Sequence, residues 1–166
     1  MLMIHVMGKK IEEKVVLHLL EKSELTEKEG ELLEKAKGAV KNAYAPYSNF
    51  NVGAALLLEN GQILVANNQE NASFPVGVCA ERTLLSYANA NFPNITPLKI
   101  MIVAKRSQES NYATVTPCGL CRQTISEYEL KFGCAIEILM LTPEGNVLKA
   151  ENISQLLPFK FNDLNS

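Results

Sequence analysis

Apolar residues recur along the chain with two different periods, and the switches between them predict alternating strands and helices. Val15-Val16-Leu17-His18-Leu19-Leu20 is apolar and rich in β-branched residues, so a short first strand is expected there. From Thr26 the period lengthens: Leu32, Leu33, Ala36, Ala39, Val40 and Ala43 fall on one helical face. Thr26 with Glu29 three residues on is a capping-box pattern, and acidic residues fill the first turn. This helix must stop before Pro46, whose ring disfavours helical geometry at Ala45. Residues 50–58 and 62–67 are apolar runs joined through Asn60-Gly61, a strong turn signal, and predict a hairpin.

Further on, a helix fits residues 79–90, and the largely apolar run 98–104 reads as a strand covered on both faces. Residues 107–112 are polar and predict a surface loop. A helix over 119–132, a strand over 135–141, a Pro143-Glu144-Gly145 turn and a short strand near Val147 complete the series. Interleaved strands and helices predict helices on both faces of one mixed sheet of about five strands, a three-layer α/β/α sandwich. Residues 1–25 are expected to form an N-terminal extension, a strand packed on the core, and 26–166 a single domain.

Composition narrows the class. The 166 residues carry 16 Lys and Arg against 18 Asp and Glu, a net charge of -2. That balance argues against a nucleic-acid partner, which usually leaves a basic footprint. Lys9-Lys10 and Lys105-Arg106 are too short to make one. The apolar residues 1–7 lack the pattern of a signal peptide, and no run approaches the ~20 apolar residues that span a bilayer. A soluble, cytoplasmic protein is expected, and in that compartment four cysteines suggest metal binding or catalysis before disulfides.

Two thiols at Cys118 and Cys121, separated by Gly119-Leu120, can share one tetrahedral ion, yet such a pair also suits redox chemistry. At the start of a helix they gain from free N–H groups and the helix dipole, which lower a thiol pKa. Cys79-Ala80-Glu81 favours the metal, because a third thiol begins another predicted helix with a carboxylate two residues on. Three protein ligands leave zinc one open position, as in a catalytic site, where bound water becomes acidic near neutrality. Glu81, beside the metal but not on it, is placed to be a general acid and base. Arg82 is either a solvated helix residue or a guanidinium that tempers the thiolate charge. Its place beside Cys79 and Glu81 favours the second.

These motifs resemble the cytidine deaminases, in particular the small homotetrameric kind with a three-cysteine zinc site. The resemblance extends through Ala43-Tyr44-Ala45-Pro46-Tyr47-Ser48-Asn49-Phe50, Val52-Gly53-Ala54-Ala55 and Asn68-Gln69-Glu70-Asn71-Ala72-Ser73-Phe74-Pro75. It continues with Cys79-Ala80-Glu81-Arg82-Thr83, Pro117-Cys118-Gly119-Leu120-Cys121-Arg122-Gln123 and Leu156-Leu157-Pro158. It implies one zinc per subunit on Cys79, Cys118 and Cys121, and hydrolytic deamination of cytidine and deoxycytidine, a pyrimidine-salvage reaction, driven by Glu81. It also implies that Asn68 and Glu70 bind the ribose hydroxyl and that Phe50 packs on the pyrimidine. The Ala80 backbone with Glu81 would read the polar edge of the base. Phe161, with Phe159 a competing candidate, matches an aromatic that reaches a neighbouring subunit's site. Gln69 stands where many relatives have an apolar residue, and its side chain is expected to point away from Asn68 and Glu70.

Three other functions fit these residues less well. A deaminase of a modified nucleoside, of the blasticidin type, would not be expected to keep the Asn68–Glu70 pair. An editing deaminase conflicts with the charge, and a structural zinc-binding interaction module leaves Glu81 unexplained. Cys134 either completes a four-cysteine structural site or is a small core residue, the reading favoured here. His5 and His18 lie in no ligand spacing, and Tyr44 and Tyr47 suit packing as well as binding.

Overall fold

The computed structural model describes residues 8–161, so His5 and the apolar start of the chain lie outside the described residues. One mixed sheet runs in the order β1 (His18–Leu20), β7 (Val147–Ala150), β6 (Glu137–Leu141), β4 (Pro97–Arg106), β2 (Phe50–Leu58), β3 (Ile63–Asn67). A two-residue strand, β5 (Tyr112–Ala113), pairs with β4. Among the described strands only β4 and β6 pair in parallel, and the crossover between them carries α3 (Gly119–Phe132). The other α-helices among the described residues are α1 (Glu27–Val40) and α2 (Ala80–Asn91).

Alternation along the central strands explains the three layers. Ala54, Leu56, Ile100, Ile102, Ile138 and Met140 turn to the face covered by α2 and α3. Their neighbours Ala55, Leu57, Met101, Val103, Leu139 and Leu141 turn to the face covered by α1. Successive side chains must point to opposite faces, so a strand buried on both reads as a continuous apolar run. Gly53 sits where α1 touches the sheet. A Cβ there would lie 2.3 Å from the Ala36 carbonyl oxygen and 2.7 Å from the Val40 nitrogen, so only glycine permits this approach.

The expected class is present, with two short strands beyond the expected five or so. The first strand is three residues long, not six, because β7 offers it only Val147, Leu148 and Lys149 as partners. Being an edge strand, it leaves Leu19 largely exposed, and Val15 and Val16 before it are exposed too. The polar loop 107–112 ends in β5, whose Tyr112 and Ala113 pair with Lys105 and Ala104. α1 begins as its capping box requires, with the Thr26 hydroxyl accepting from the Glu29 N–H and Glu29 accepting from the Thr26 N–H. It ends at Val40, well short of Pro46.

Glu29 has a second task. Its carboxylate, 3% exposed as a residue, lies 2.8 Å from the Lys99 ammonium, which is also 2.8 Å from Glu137. Lys149 pairs with Glu137 at 2.8 Å and stands 3.8 Å from Glu29. Two carboxylates and two ammoniums thus clasp α1 to β4, β6 and β7 at the end of the sheet where β4 and β6 begin. Burial alone would push the Glu29 carboxyl up; Lys99 and the Thr26 donors overcome this and hold it at about 2.

Candidate metal centre and active site

The other end of the sheet gathers the chemistry. There β2 begins at Phe50, β3 ends at Asn67 and β4 ends at Arg106, and both α2 and α3 start nearby. Cys79 is the N-cap of α2 and Cys118 the N-cap of α3, each with extended backbone. Cys121 follows one turn into α3 and is fully buried. Free N–H groups at both helix starts give this corner a positive potential that favours thiolate.

The three sulfurs lie within 4.8 Å of one another, with Cys79 to Cys118 at 3.8 Å and Cys118 to Cys121 at 3.5 Å. Thiolates bound to one tetrahedral zinc at about 2.3 Å stand about 3.8 Å apart, so this donor set fits the ion in chemistry and spacing. Hydrogen bonding from Cys121, then from Cys118, and the Arg82 charge bring the Cys79 thiol down to about 6 against the opposing effect of burial. Cys121 moves the other way, because its proton is engaged by Cys79 and the site is buried. Arg82 is half-buried, and its positive charge acts on the sulfur of Cys79.

Glu81 is in the first turn of α2, only 4% exposed. Burial raises its carboxyl to about 7, the Cys79 charge adding to the rise while its own backbone N–H and the Cys121 thiol oppose it. Ala80 beside it is fully buried. A short segment from Asn68 to Glu70 runs between Tyr44 and Val78, linked to each by isolated bridges at Gln69. Its extended geometry turns Gln69 away from its neighbours, toward Asn67, to which its amide donates at 2.5 Å.

Asn68 and Glu70 are both tied to the β2 entry. The Asn68 side chain accepts from the Val52 N–H at 2.8 Å and donates to the Phe50 carbonyl at 3.0 Å. One amide hydrogen remains for a ligand. One Glu70 oxygen accepts from the N–H groups of Tyr47 at 3.0 Å and Ser48 at 3.3 Å. The Ser48 hydroxyl and these N–H groups hold the Glu70 carboxyl below its ordinary value, so it stays ionised. A cleft of about 350 Å³ opens here, lined by Tyr47, Ser48, Glu70, Asn71, Phe74 and Gly77. Tyr47 and Phe74 meet edge-on across it, with ring centroids 5.7 Å apart. Phe50 is half-buried on the α2/α3 face of the sheet.

Sequence reasoning missed the residues that fasten the C-terminal segment. Arg122 donates to the Pro117 carbonyl at 2.8 Å and to the Leu156 carbonyl at 2.6 Å, while Gln123 donates to the Phe161 carbonyl at 2.8 Å. The available signal was their place in the same motif as Cys118 and Cys121. Phe161 is held by its backbone with its side chain 64% exposed, and Phe159 is 73% exposed. Cys134 is no core residue: it follows Gly133, the left-handed C-cap of α3, and this turn leaves its thiol half-exposed at a surface cavity. It is not among the clustered sulfurs. His18 faces solvent, 3.6 Å from Glu151.

The cytidine and deoxycytidylate deaminase zinc-binding region, as a family pattern, matches residues 26–134. A probable cytidine deaminase of Dictyostelium discoideum is 36% identical over 135 residues, covering 79% of this chain and 84% of that protein. The cytidine deaminase of Sporosarcina psychrophila is 33% identical over 130 residues, 78% of this chain and 88% of its own length. The crystal structure of cytidine deaminase from Burkholderia pseudomallei superposes with a TM-score of 0.69 at 36% identity. It covers 82% of this chain and all of that one. With three clustered thiols, a buried glutamate beside them and the same sandwich around both, the chain belongs to the cytidine deaminase family.

Proposed function

We propose that this chain hydrolytically deaminates cytidine and deoxycytidine to the uracil nucleosides and ammonia. The observation that carries the reading is the buried Glu81 carboxyl beside three thiols spaced for one zinc. Cys79, Cys118 and Cys121 hold the ion, one per subunit, and the charge of Arg82 tempers the thiolates. Zinc supplies Lewis acidity there, making water nucleophilic near neutral pH.

The chain's own residues do the rest. Glu81 takes a proton from the attacking water and passes it to the ring nitrogen beside carbon 4. As the bond from carbon 4 to the amino nitrogen breaks, it takes the proton of the new hydroxyl and passes it to the departing amino group. The Ala80 N–H at the start of α2 lacks a helical partner, and with the Glu81 side chain it suits the polar edge of the base. Phe50 packs on the pyrimidine, a contact typically worth about 1–3 kcal/mol. The unused Asn68 amide hydrogen and the second Glu70 oxygen suit a sugar hydroxyl, one donating and the other accepting.

Partners and setting belong to the same proposal. Tyr47, Phe74, Leu120 and Phe161 are exposed apolar side chains around the site, as expected where subunits of a homotetramer meet. Phe161, rather than Phe159, is the aromatic assigned to a neighbouring site, since Gln123 fixes its backbone. No helix among the described residues is long and apolar enough to cross a membrane. Four free thiols suit the reducing cytoplasm.

Zinc-loaded protein should convert cytidine to uridine in an absorbance assay, and Glu81→Gln should lose about 10²- to 10⁴-fold in kcat while keeping its zinc. Zinc-loaded wild type that forms no uridine would refute the reaction. Full activity in Glu81→Gln would refute the proton carrier alone.

A further inference from the structure

We propose that Arg106 is a positioning residue for this deamination, holding the ring of Phe50 in place to receive the base. The inference rests on the reading of Phe50 as the aromatic that packs on the pyrimidine. Phe50 and Arg106 are directly opposite one another in the β2–β4 ladder, so their side chains share a face of the sheet. It is the face covered by α2 and α3, whose N-termini carry the thiols. The Arg106 guanidinium carbon lies over the Phe50 ring, 5.4 Å from its centroid, within the range of a cation–π contact. The guanidinium takes one side of the ring, and in this reading the base packs on the part of the ring that neither it nor the core covers.

The surrounding groups steady both partners. Glu109 stands 3.7 Å from the Arg106 guanidinium, and its N–H donates to the Arg106 carbonyl at 3.1 Å. Ser107, next along, donates its N–H to the carbonyl of Asn49 at 2.9 Å. Asn49 has φ 54°, a left-handed turn that delivers the chain into β2. Asn49 and Ser107 therefore fix the backbone that carries Phe50, and Arg106 fixes its ring. A half-buried aromatic left free to change rotamer would lose that freedom when substrate binds. Ordering it beforehand improves binding of the base and leaves the chemical step at Glu81 untouched.

The test is a double-mutant cycle on the zinc-loaded enzyme, with cytidine kinetics and competitive inhibition by uridine as a binding readout. Arg106→Gln should raise KM and the uridine inhibition constant about two- to fivefold with kcat unchanged, the size of one exposed cation–π contact. Arg106→Lys should restore most of the affinity, and Arg106→Gln should do nothing further in a Phe50→Leu background. If Phe50→Leu weakens binding while Arg106→Gln does not, the proposal fails and the reading of Phe50 stands. Equal effects of Arg106→Gln in both backgrounds also overturn it, because the guanidinium would then act without the ring. If Phe50→Leu leaves binding unchanged, the reading of Phe50 falls and the proposal with it.

Discussion

Replacing Glu29 by Gln removes one carboxylate from the four-charge clasp that ties α1 to the sheet, and its cost should depend on pH. In the folded chain the Glu29 carboxyl is held at about 2 against an ordinary 4.5, so the folded state binds fewer protons than the unfolded one between these values. The stabilisation is therefore complete above about pH 5.5 and is lost as pH falls through 4.5 toward 2. A shift of that size corresponds to roughly 3 kcal/mol, and burial of the side chain to 4% exposure limits solvent screening. Urea denaturation of wild type and Glu29→Gln, both kept in chelator so that metal loss is common to them, gives the difference at each pH. Wild type should be more stable by about 2–3 kcal/mol at pH 7, with the gap closing toward pH 2.5. A gap that stays constant from pH 7 to pH 3 would show that the carboxylate's charge is not what holds the helix.

Other consequences follow from single positions. Gly53→Ala drives a methyl into the backbone of α1 at Ala36 and Val40, neither of which can swing aside, and should cost about 1–3 kcal/mol. Thermal denaturation should show a midpoint lower by several degrees, and an unchanged midpoint would mean α1 can lift freely. Cys134→Ser should retain one zinc per chain by metal analysis, since its sulfur lies outside the cluster; loss of zinc would make the centre a closed four-thiol site.

Much of this was written in local pattern. The capping box at Thr26 and Glu29, the Asn60-Gly61 turn with Gly61 at φ 83°, and the strands buried on both faces all depend on neighbours close in sequence. The cysteines were legible because metal ligands and helix starts leave short motifs. What escaped needs partners distant in the chain. Glu29 reads as a cap, yet its ammonium partner Lys99 is 70 residues away. Arg106 reads as half of a minor basic pair until the β2–β4 register sets it opposite Phe50. The first strand is shorter than its apolar run because edge pairing, not hydrophobicity, limits it to the three residues that pair with Val147, Leu148 and Lys149. A thiol before an apolar strand reads as buried, so the sequence suggests a core place for Cys134; the left-handed turn at Gly133 decides otherwise.

The distribution of the three thiols over two helices has a mechanical side. Cys79 and Cys118 are 39 positions apart, so an ion bound to both closes a long loop of chain, as a disulfide would. For a covalent link of that span the chain-entropy estimate is about 4 kcal/mol. Zinc thereby acts as a rivet between α2 and α3 as well as a reagent, and the chain that loses it forfeits rigidity along with reactivity. Scavenging of the metal would then be read by a cell twice, first as a silent enzyme and then as a more easily degraded protein.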